Sequence, residues 1–466
     1  MSDVAMRMKF FVALPLLLSI AAVSSAQEPA KSEQRKLIPY DYYIDDLPND
    51  LRLVTIPTDY PNLVAFYIVV GTGSRNEIEP GKTGYAHFFE HMMFRGSENY
   101  PPGKRDEIMQ RAGAATNAYT TDDRTVYHAT FSKEDLPEIM KMEADRFQRL
   151  KYAEPEYKTE ALAVLGEYNK NIAAPTLKLQ ETLRATAFKE HTYKHTTMGF
   201  IKDIEDMPNQ FDYSWEFFRR YYRPEYTTIL VVGDVKREDV VEMVRANFGT
   251  WERGDYKPEI PREPEQSEPR TAHVDWATPT LPYVTVAFHN PAYSDEQKDY
   301  AALDLLSAVA FGQNSELYQK LVLEEQKVDA LSPSNPERLD PHLFTVTARV
   351  KDAKDVDYVR DQMLATFQRF TSEAMPQKKL DDTRARLRYE TALGFDSSEA
   401  IAGAVAPFLA LRRTPETMDR LFALYDTITP EDVRAIAAQY FTEKKRTIVT
   451  LATKAGAGAA KTEAGK

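Results

Sequence analysis

The chain is organised around the stretch Gly84-Tyr85-Ala86-His87-Phe88-Phe89-Glu90-His91-Met92-Met93-Phe94. In a helix of 3.6 residues per turn, His87 and His91 lie on one face, and Glu90 stands beside that face. Two neutral imidazoles suit a catalytic zinc ion, and a neighbouring carboxylate can take a proton from water. The pattern H-x-x-E-H is a metallopeptidase signature. The stretch therefore predicts a zinc site in which the two histidines bind the metal and Glu90 is the base.

The remaining residues of this stretch are almost all apolar, which predicts a helix in the interior of its domain. Buried imidazoles need polar partners, and a shared metal ion is one such partner. A pair of core histidines satisfied by hydrogen bonds is the alternative that the motif alone leaves open.

The composition of the whole chain excludes several kinds of site. The chain has 466 residues and no cysteine, so disulfides, thiolate nucleophiles, cysteine-ligated zinc and an acylated lipoprotein cysteine are excluded. Its formal charge of −12 would repel a phosphate backbone, so nucleic acid is not expected as a partner. The length predicts two or more domains.

The N-terminus has the three parts of a cleavable secretory signal. A basic segment at 6–9 precedes an apolar run at 10–23. The small residues at 24–26 follow and predict a cleavage site between Ala26 and Gln27. The apolar run is shorter than the ~18 to 20 residues that a membrane span needs, and an uncleaved anchor is the alternative. No later stretch is long and apolar enough to span a bilayer. In a bacterium, this pattern predicts a periplasmic or secreted protein.

The two halves of the mature chain show the same order of predicted elements. Tyr221–Val232 aligns without a gap on Tyr440–Leu451, and an aromatic residue that closes a helix, a threonine and an apolar strand coincide. Between the halves, at 255–270, four prolines alternate with charged residues, which favours an interdomain linker over a long surface loop. We therefore predict an α+β fold of two similar tandem domains that arose by internal duplication. Each domain is expected to be a mainly antiparallel sheet with helices packed on one face.

The chain divides into five predicted segments. They are a signal peptide at 1–26, an N-terminal zinc-binding peptidase domain at 27–254, a Pro-rich linker at 255–270, a homologous C-terminal domain at 271–454 and a flexible tail at 455–466. The tail is rich in Gly, Ala and Lys and need not fold.

A catalytic zinc ion needs a third protein ligand and one open position. Cysteine is absent and the other histidines show no helical pairing with the motif, so a carboxylate is the natural candidate. The predicted helix at 156–171 offers Glu160 and Glu167, which lie two turns apart on one face. From the residues alone, a solvated helix face remains the commoner interpretation of any single glutamate.

These motifs resemble those of the inverzincin zinc peptidases, the family of pitrilysin, insulin-degrading enzyme and mitochondrial processing peptidase. Glu167 matches the position of that family's third zinc ligand, and Glu160 matches a glutamate that orients a ligand histidine. The stretches at 71–77 and 188–199 are also similar to family segments. The resemblance covers essentially the whole mature chain and is strongest in its first half. It implies one Zn²⁺ ion per chain, held by the two histidines and Glu167.

The resemblance also implies where a peptide substrate binds. The family strand that matches 117–120 is an edge strand that pairs with the substrate backbone, which is β-augmentation. Asn117, Ala118 and Thr120 are therefore the implied substrate-binding residues. The implied activity is hydrolysis of peptides or unstructured polypeptides that are enclosed between two halves of an assembly.

One departure from the family lies in the second half of the chain. Self-sufficient members carry an arginine and, seven residues later, a tyrosine that help to hold the substrate, whereas the aligned positions here are Leu323 and Ala330. Neither side chain can donate a hydrogen bond. The resemblance therefore implies a heterodimer in which a related, zinc-less chain supplies the arginine and the tyrosine. The alternatives are a self-sufficient homodimeric oligopeptidase, which this departure disfavours, and a non-catalytic assembly or scaffold subunit, which the intact metal motif disfavours.

Overall fold

Two β-sheets and their helices make up residues 36–454, which are the residues that the computed structural model describes. The predicted signal peptide at 1–26 and the predicted tail at 455–466 lie outside the described residues. The strands are, in chain order, β1 (Tyr43–Asp46), β2 (Arg52–Pro57), β3 (Leu63–Val70), β4 (Ala115–Thr120), β5 (Thr125–Ser132), β6 (Thr227–Gly233), β7 (Arg270–Trp276), β8 (Tyr283–His289), β9 (Val328–Ser334), β10 (Leu343–Val350) and β11 (Arg446–Thr453).

Helices fill the segments between these strands. They are α1 (Tyr85–Met92), α2 (Lys104–Arg111), α3 (Leu136–Gln148), α4 (Glu154–Asn171), α5 (Pro175–Ala187), α6 (Ile201–Asp206), α7 (Phe211–Tyr221), α8 (Arg237–Phe248), α9 (Lys298–Phe311), α10 (Glu316–Tyr318), α11 (Val356–Ser372), α12 (Gln377–Leu393), α13 (Ser398–Arg412), α14 (Glu416–Thr427) and α15 (Pro430–Tyr440). No helix in this part of the chain is long and apolar enough to cross a membrane.

The two sheets share one topology, which confirms the predicted duplication. The first sheet has the strand order β1-β2-β6-β3-β5-β4, and the second has the order β7-β11-β8-β10-β9. Each sheet contains one parallel pair, β2 with β6 and β7 with β11, and its other pairs are antiparallel. Strands β2, β6, β3, β5 and β4 of the first sheet therefore correspond to β7, β11, β8, β10 and β9 of the second.

The aligned endings of the two halves occupy equivalent places in these sheets. In the first half, Tyr222 is the C-cap of α7 and a 3₁₀ turn at Pro224–Tyr226 leads into β6. In the second half, Phe441 is the C-cap of α15 and a 3₁₀ turn at Glu443–Lys445 leads into β11. The repeated sequence pattern is thus one structural unit, a helix followed by a tight turn and a central strand.

The central strands are buried on both faces, because each half covers one face of the other half's sheet. Along β3, Val64 and Phe66 pack with α1 and α3, whereas Ala65 and Tyr67 pack with residues of the second half. Helix α13 covers this second face at β3 and β6. Helix α5 of the first half covers the equivalent face of the second sheet at β7 and β11. This double burial explains the continuous apolar run of β3.

The second half contains a helix and a strand that are difficult to predict from the sequence, because they include glycine or proline. Helix α13 includes Gly403 and Pro407, which are typical of loops, but packing between the two halves stabilises the helix despite them. Strand β9 includes Pro333, a residue that a strand tolerates at the edge of a sheet. Helix α10 continues directly as a π-helix over Gln319–Glu324.

Residues 255–269 of the predicted linker lie in a segment without helix or strand between α8 and β7, and its last residue, Arg270, is the first residue of β7. Within it, the buried side chain of Gln266 donates a hydrogen bond to the carbonyl of Arg446 at 2.9 Å. The segment is therefore tied to the start of β11. The domain boundaries on either side of it stay predictions.

Candidate metal centre

Helix α1 is held at both ends by buried polar side chains. Its N-cap, Gly84, has no side chain that could accept a hydrogen bond. The carboxyl oxygens of Glu77 instead accept from the backbone N–H groups of Gly84 and Ala86, both at 2.8 Å. At the other end, Arg146 donates to the carbonyl of Met93 at 3.2 Å. These contacts fix both ends of the helix.

The ligand atoms of three predicted residues converge above α1. His91 Nε2 lies 3.2 Å from His87 Nε2 and 3.2 Å from Glu167 Oε2. His87 Nε2 and Glu167 Oε2 are 3.5 Å apart. Tetrahedral zinc with bonds of about 2.0–2.2 Å separates neighbouring ligand atoms by about 3.3–3.6 Å. Two imidazoles and one carboxylate at this spacing fit a zinc ion with one position open. Between residues 36 and 454, no other three histidine, aspartate or glutamate side chains converge in this way.

Glu167 reaches the centre from α4, near the end of that helix. Its side chain is 37% exposed, so the centre is open to solvent on the α4 side. An open side is what a hydrolytic site needs, because water and substrate must both reach it.

The second glutamate of α4 orients one of the imidazoles. Glu160 is 2% exposed, and its Oε1 lies 3.0 Å from His91 Nδ1, while its other oxygen pairs with Arg95. The hydrogen bond that His91 donates to Glu160 raises the pKa of His91. Burial opposes ionisation of Glu160, but the hydrogen bonds from His91 and Arg95 lower its pKa. A carboxylate at Nδ1 favours the tautomer that leaves Nε2 free to bind a metal.

His87 is the more deeply buried of the two imidazoles. Burial, and then the neighbouring His91, lower the pKa of His87 to about 4, so its ring is neutral at pH 7. Its Nδ1 is buried without a hydrogen-bond partner among the described side chains and backbone groups. A neutral imidazole is the form that binds a metal.

Glu90 stands beside the centre with one carboxylate oxygen already engaged. Thr120, at the end of β4, donates a hydrogen bond from Oγ1 to Glu90 Oε2 at 2.7 Å. Burial raises the pKa of Glu90. The family resemblance implies that Thr120 binds substrate, and in the structure its hydroxyl contacts the candidate base. Its part in substrate binding stays a prediction.

Strand β4 lies at the edge of the first sheet, as the resemblance implies. It pairs with β5 on one side, and no other described strand pairs with it. Asn117 is exposed on this edge, and Ala118 is buried beside it. The free edge can accept an extended peptide, which is what β-augmentation requires.

The positions that align with the family's arginine and tyrosine lie in the second half. Leu323 is in the π-helix and is 53% exposed, and Ala330 is in β9. Neither residue belongs to the cluster of His87, His91 and Glu167.

Two residues that build the centre were not predicted from the sequence. Glu77 ends the family-like stretch 71–77, and the missing side chain at the Gly84 cap is the signal that another acceptor is needed there. Arg95 follows His91 by one helical turn, which places it beside the same glutamate. Its pairing with Glu160 depends on the approach of α4.

We expect Glu160→Gln to weaken zinc binding about 10- to 100-fold, because the amide loses the charge that orients His91 and pairs with Arg95. Competition with a fluorescent chelator measures the affinity. Glu154→Gln is the matched control, since Glu154 lies at the exposed start of the same helix and pairs with Lys158. Equal affinity in the Glu160 variant and the control would contradict the orienting role.

Two family profiles match this chain, and two proteins with descriptive names are similar to it over most of its length. The profile described as "Insulinase (Peptidase family M16)" matches residues 52–200, and the profile described as "Peptidase M16 inactive domain" matches residues 212–387. The chain is 28% identical over 412 residues to "Zinc protease PqqE" of Helicobacter pylori, covering 87% of this chain and 91% of that protein. It is 26% identical over 425 residues to "Probable mitochondrial-processing peptidase subunit beta, mitochondrial" of Arabidopsis thaliana, covering 86% of this chain and 76% of that protein.

A solved structure is also similar over most of its length. The crystal structure of a protease from Helicobacter pylori matches with a TM-score of 0.83 and 26% identity, covering 89% of this chain and 99% of that one. The fold described above is therefore shared by a protease of known structure.

Proposed function

This chain belongs to peptidase family M16, and on that premise we propose that it is the zinc-bearing subunit of an endopeptidase for peptides or unstructured polypeptides. One observation carries the proposal. Three ligand atoms of His87, His91 and Glu167 lie within 3.5 Å of one another, with Glu90 beside them. The names of the relatives, a zinc protease and a processing-peptidase subunit, support the same activity.

The residues of the centre divide the work of hydrolysis. The two imidazoles and Glu167 would hold a zinc ion, which when bound would supply Lewis acidity toward a peptide carbonyl and water. Glu90 takes the proton of the attacking water on the oxygen that Thr120 leaves free and passes it to the leaving amine. Glu160 holds His91 in place, and the free edge of β4 aligns the substrate backbone.

The finer part of the proposal is a heterodimer with a related, zinc-less chain. The side chains of Leu323 and Ala330 cannot donate hydrogen bonds to a substrate, so we propose that the partner supplies the arginine and the tyrosine. The Arabidopsis relative carries the name of a subunit, which supports a paired assembly. The signal-like segment at 1–26 supports a periplasmic or secreted location.

Purifying the chain alone and with its candidate partner tests this proposal. We expect the lone, zinc-loaded chain to cleave a quenched unstructured peptide weakly. A related chain that lacks H-x-x-E-H but carries the arginine and the tyrosine should raise kcat/KM about 100-fold or more, as preorganised hydrogen-bond donors do. The same partner with both residues replaced by leucine and phenylalanine is the control.

Three outcomes separate the alternatives. Full activity of the lone chain would contradict the heterodimer and favour a homodimeric oligopeptidase. No bound zinc and no cleavage with any partner would contradict the enzyme and favour a scaffold subunit. Partner-dependent cleavage that survives loss of the arginine and tyrosine would contradict the proposed source of the missing groups.

A further inference from the structure

We propose that the second half of the chain positions the catalytic base of the first half, with Arg338 as the main positioning residue. Arg338 belongs to the β9–β10 loop, residues 335–342, which contacts the β4–β5 turn, residues 121–124. That turn directly follows Thr120, the residue that holds Glu90. The inference rests on the proposed function, since it names a residue that acts on the proposed base.

The two loops join equivalent strand pairs of the two halves, and they meet through buried polar contacts. Arg338 Nε donates to Asp122 Oδ2 at 2.9 Å, and the backbone N–H of Leu339 donates to Asp123 Oδ2 at 2.9 Å. Both acceptors lie in the β4–β5 turn and are 1% exposed. Buried carboxylates that lose their partners are costly, so these contacts define one position of the turn.

Residues of the first half complete the same network. Arg184 donates to both oxygens of Asp122, at 2.6 and 3.1 Å, and Tyr193 donates to Asp123 at 2.7 Å. Burial opposes ionisation of Asp122, but Arg184 and Arg338 hold its pKa well below the usual range. Asp122 is therefore an ionised, buried acceptor that is shared between one arginine from each half.

A displacement of this turn would reach the catalytic carboxylate through one residue. Thr120 is the last residue of β4, and its Oγ1 donates to Glu90 at 2.7 Å. The turn also accepts hydrogen bonds at the carbonyls of Thr121 and Asp122 from the backbone of 74–75, ahead of α1. Since general base catalysis depends on the position of the carboxylate, loss of the Arg338 contact should lower the rate.

A second arginine provides a matched control, because it joins the two halves at a place away from β4. Arg413 follows α13 and donates to the carbonyls of Asp50 and Thr227, at 2.7 and 3.0 Å. Asp50 lies just before β2, and Thr227 is the first residue of β6. Replacing Arg413 therefore removes contacts between the halves while leaving the β4–β5 turn in place.

The test compares Arg338→Met, Arg338→Lys and Arg413→Met in the full zinc-loaded chain, with the activating partner and well below the unfolding temperature of each variant. We expect Arg338→Met to lower kcat about 10- to 100-fold, since a misplacement of about 1 Å can cost 10²-fold. Zinc content should stay near wild type, and the loss of kcat should exceed any change in KM. Arg338→Lys keeps a charge near Asp122 and should recover part of kcat. Arg413→Met should lower Tm without lowering kcat.

Hydrogen exchange of the metal-free chain gives a readout that does not depend on activity. We expect faster exchange over 115–124 in Arg338→Met and wild-type exchange there in Arg413→Met. If Arg338→Met does not fold, Arg338→Lys carries the test, with kcat below wild type and faster exchange of the same segment expected.

The results that overturn the inference are specific. Wild-type kcat and wild-type exchange in the Arg338 variants would overturn it. An equal loss of kcat in Arg413→Met would also overturn it, because the effect would then reflect contact between the halves in general. A zinc-loaded wild-type chain that cleaves nothing with its partner contradicts the proposed function and not this inference. In that case, wild-type exchange over 115–124 in Arg338→Met would still overturn the positioning role of Arg338.

Discussion

Glu90→Gln is expected to lower kcat about 10²- to 10⁴-fold, the usual contribution of a positioned general base. Glutamine has nearly the same shape, and its carbonyl oxygen can still accept the hydrogen bond from Thr120. It cannot take a proton from water at neutral pH. The variant should therefore keep its fold, its bound zinc and its affinity for substrate while losing turnover.

A steady-state assay and a metal analysis of the same sample check this expectation. Glu98→Gln is the matched control, because it makes the same chemical change at an exposed position shortly after α1. The control should keep wild-type kcat. An unchanged rate in Glu90→Gln would remove Glu90 as the base, and loss of zinc from that variant would show that Glu90 binds the metal instead.

The second large effect is expected at the third ligand. Glu167→Ala should leave zinc content below about 0.1 per chain after dialysis against a mild chelator, and hydrolysis should fall to background, because two imidazoles alone bind zinc weakly. The side chain is 37% exposed, so its removal opens no sealed cavity and the fold should persist.

Lys170→Ala provides the comparison for this variant, since Lys170 is an exposed residue of the same helix. It should keep one zinc ion per chain and wild-type turnover. Circular dichroism of both variants shows that the helix is intact. A Glu167→Ala protein that retains a full zinc ion would contradict the assignment and point to another third ligand.

The local part of the centre could be predicted because it lies on one helix. The spacing of His87, Glu90 and His91 determines which side chains share a face, whatever surrounds the helix. Glu160 and Glu167 could be paired by their seven-residue spacing, but their approach to the histidines depends on how α4 packs on α1. No local pattern encodes that approach, and only the family resemblance indicated it.

The contacts between the two halves could not be predicted from the sequence for the same reason. Periodicity shows which face of an element is apolar, but it does not name the element that covers the face. The continuous apolar run of β3 indicates burial on both faces. The packing of α13 on β3 could not be predicted, because Gly403 and Pro407 argue against a helix in that part of the sequence. The pairing of Arg338 with Asp122 likewise joins loops that are distant in sequence.

The central claim is a zinc ion held by His87, His91 and Glu167, and diffraction data collected on either side of the zinc absorption edge test it most directly. We expect one anomalous peak per chain, about 2.0–2.2 Å from the Nε2 atoms of both histidines and from a carboxylate oxygen of Glu167. A zinc-loaded crystal with no peak at this place, or with its peak at other residues, would contradict the claim.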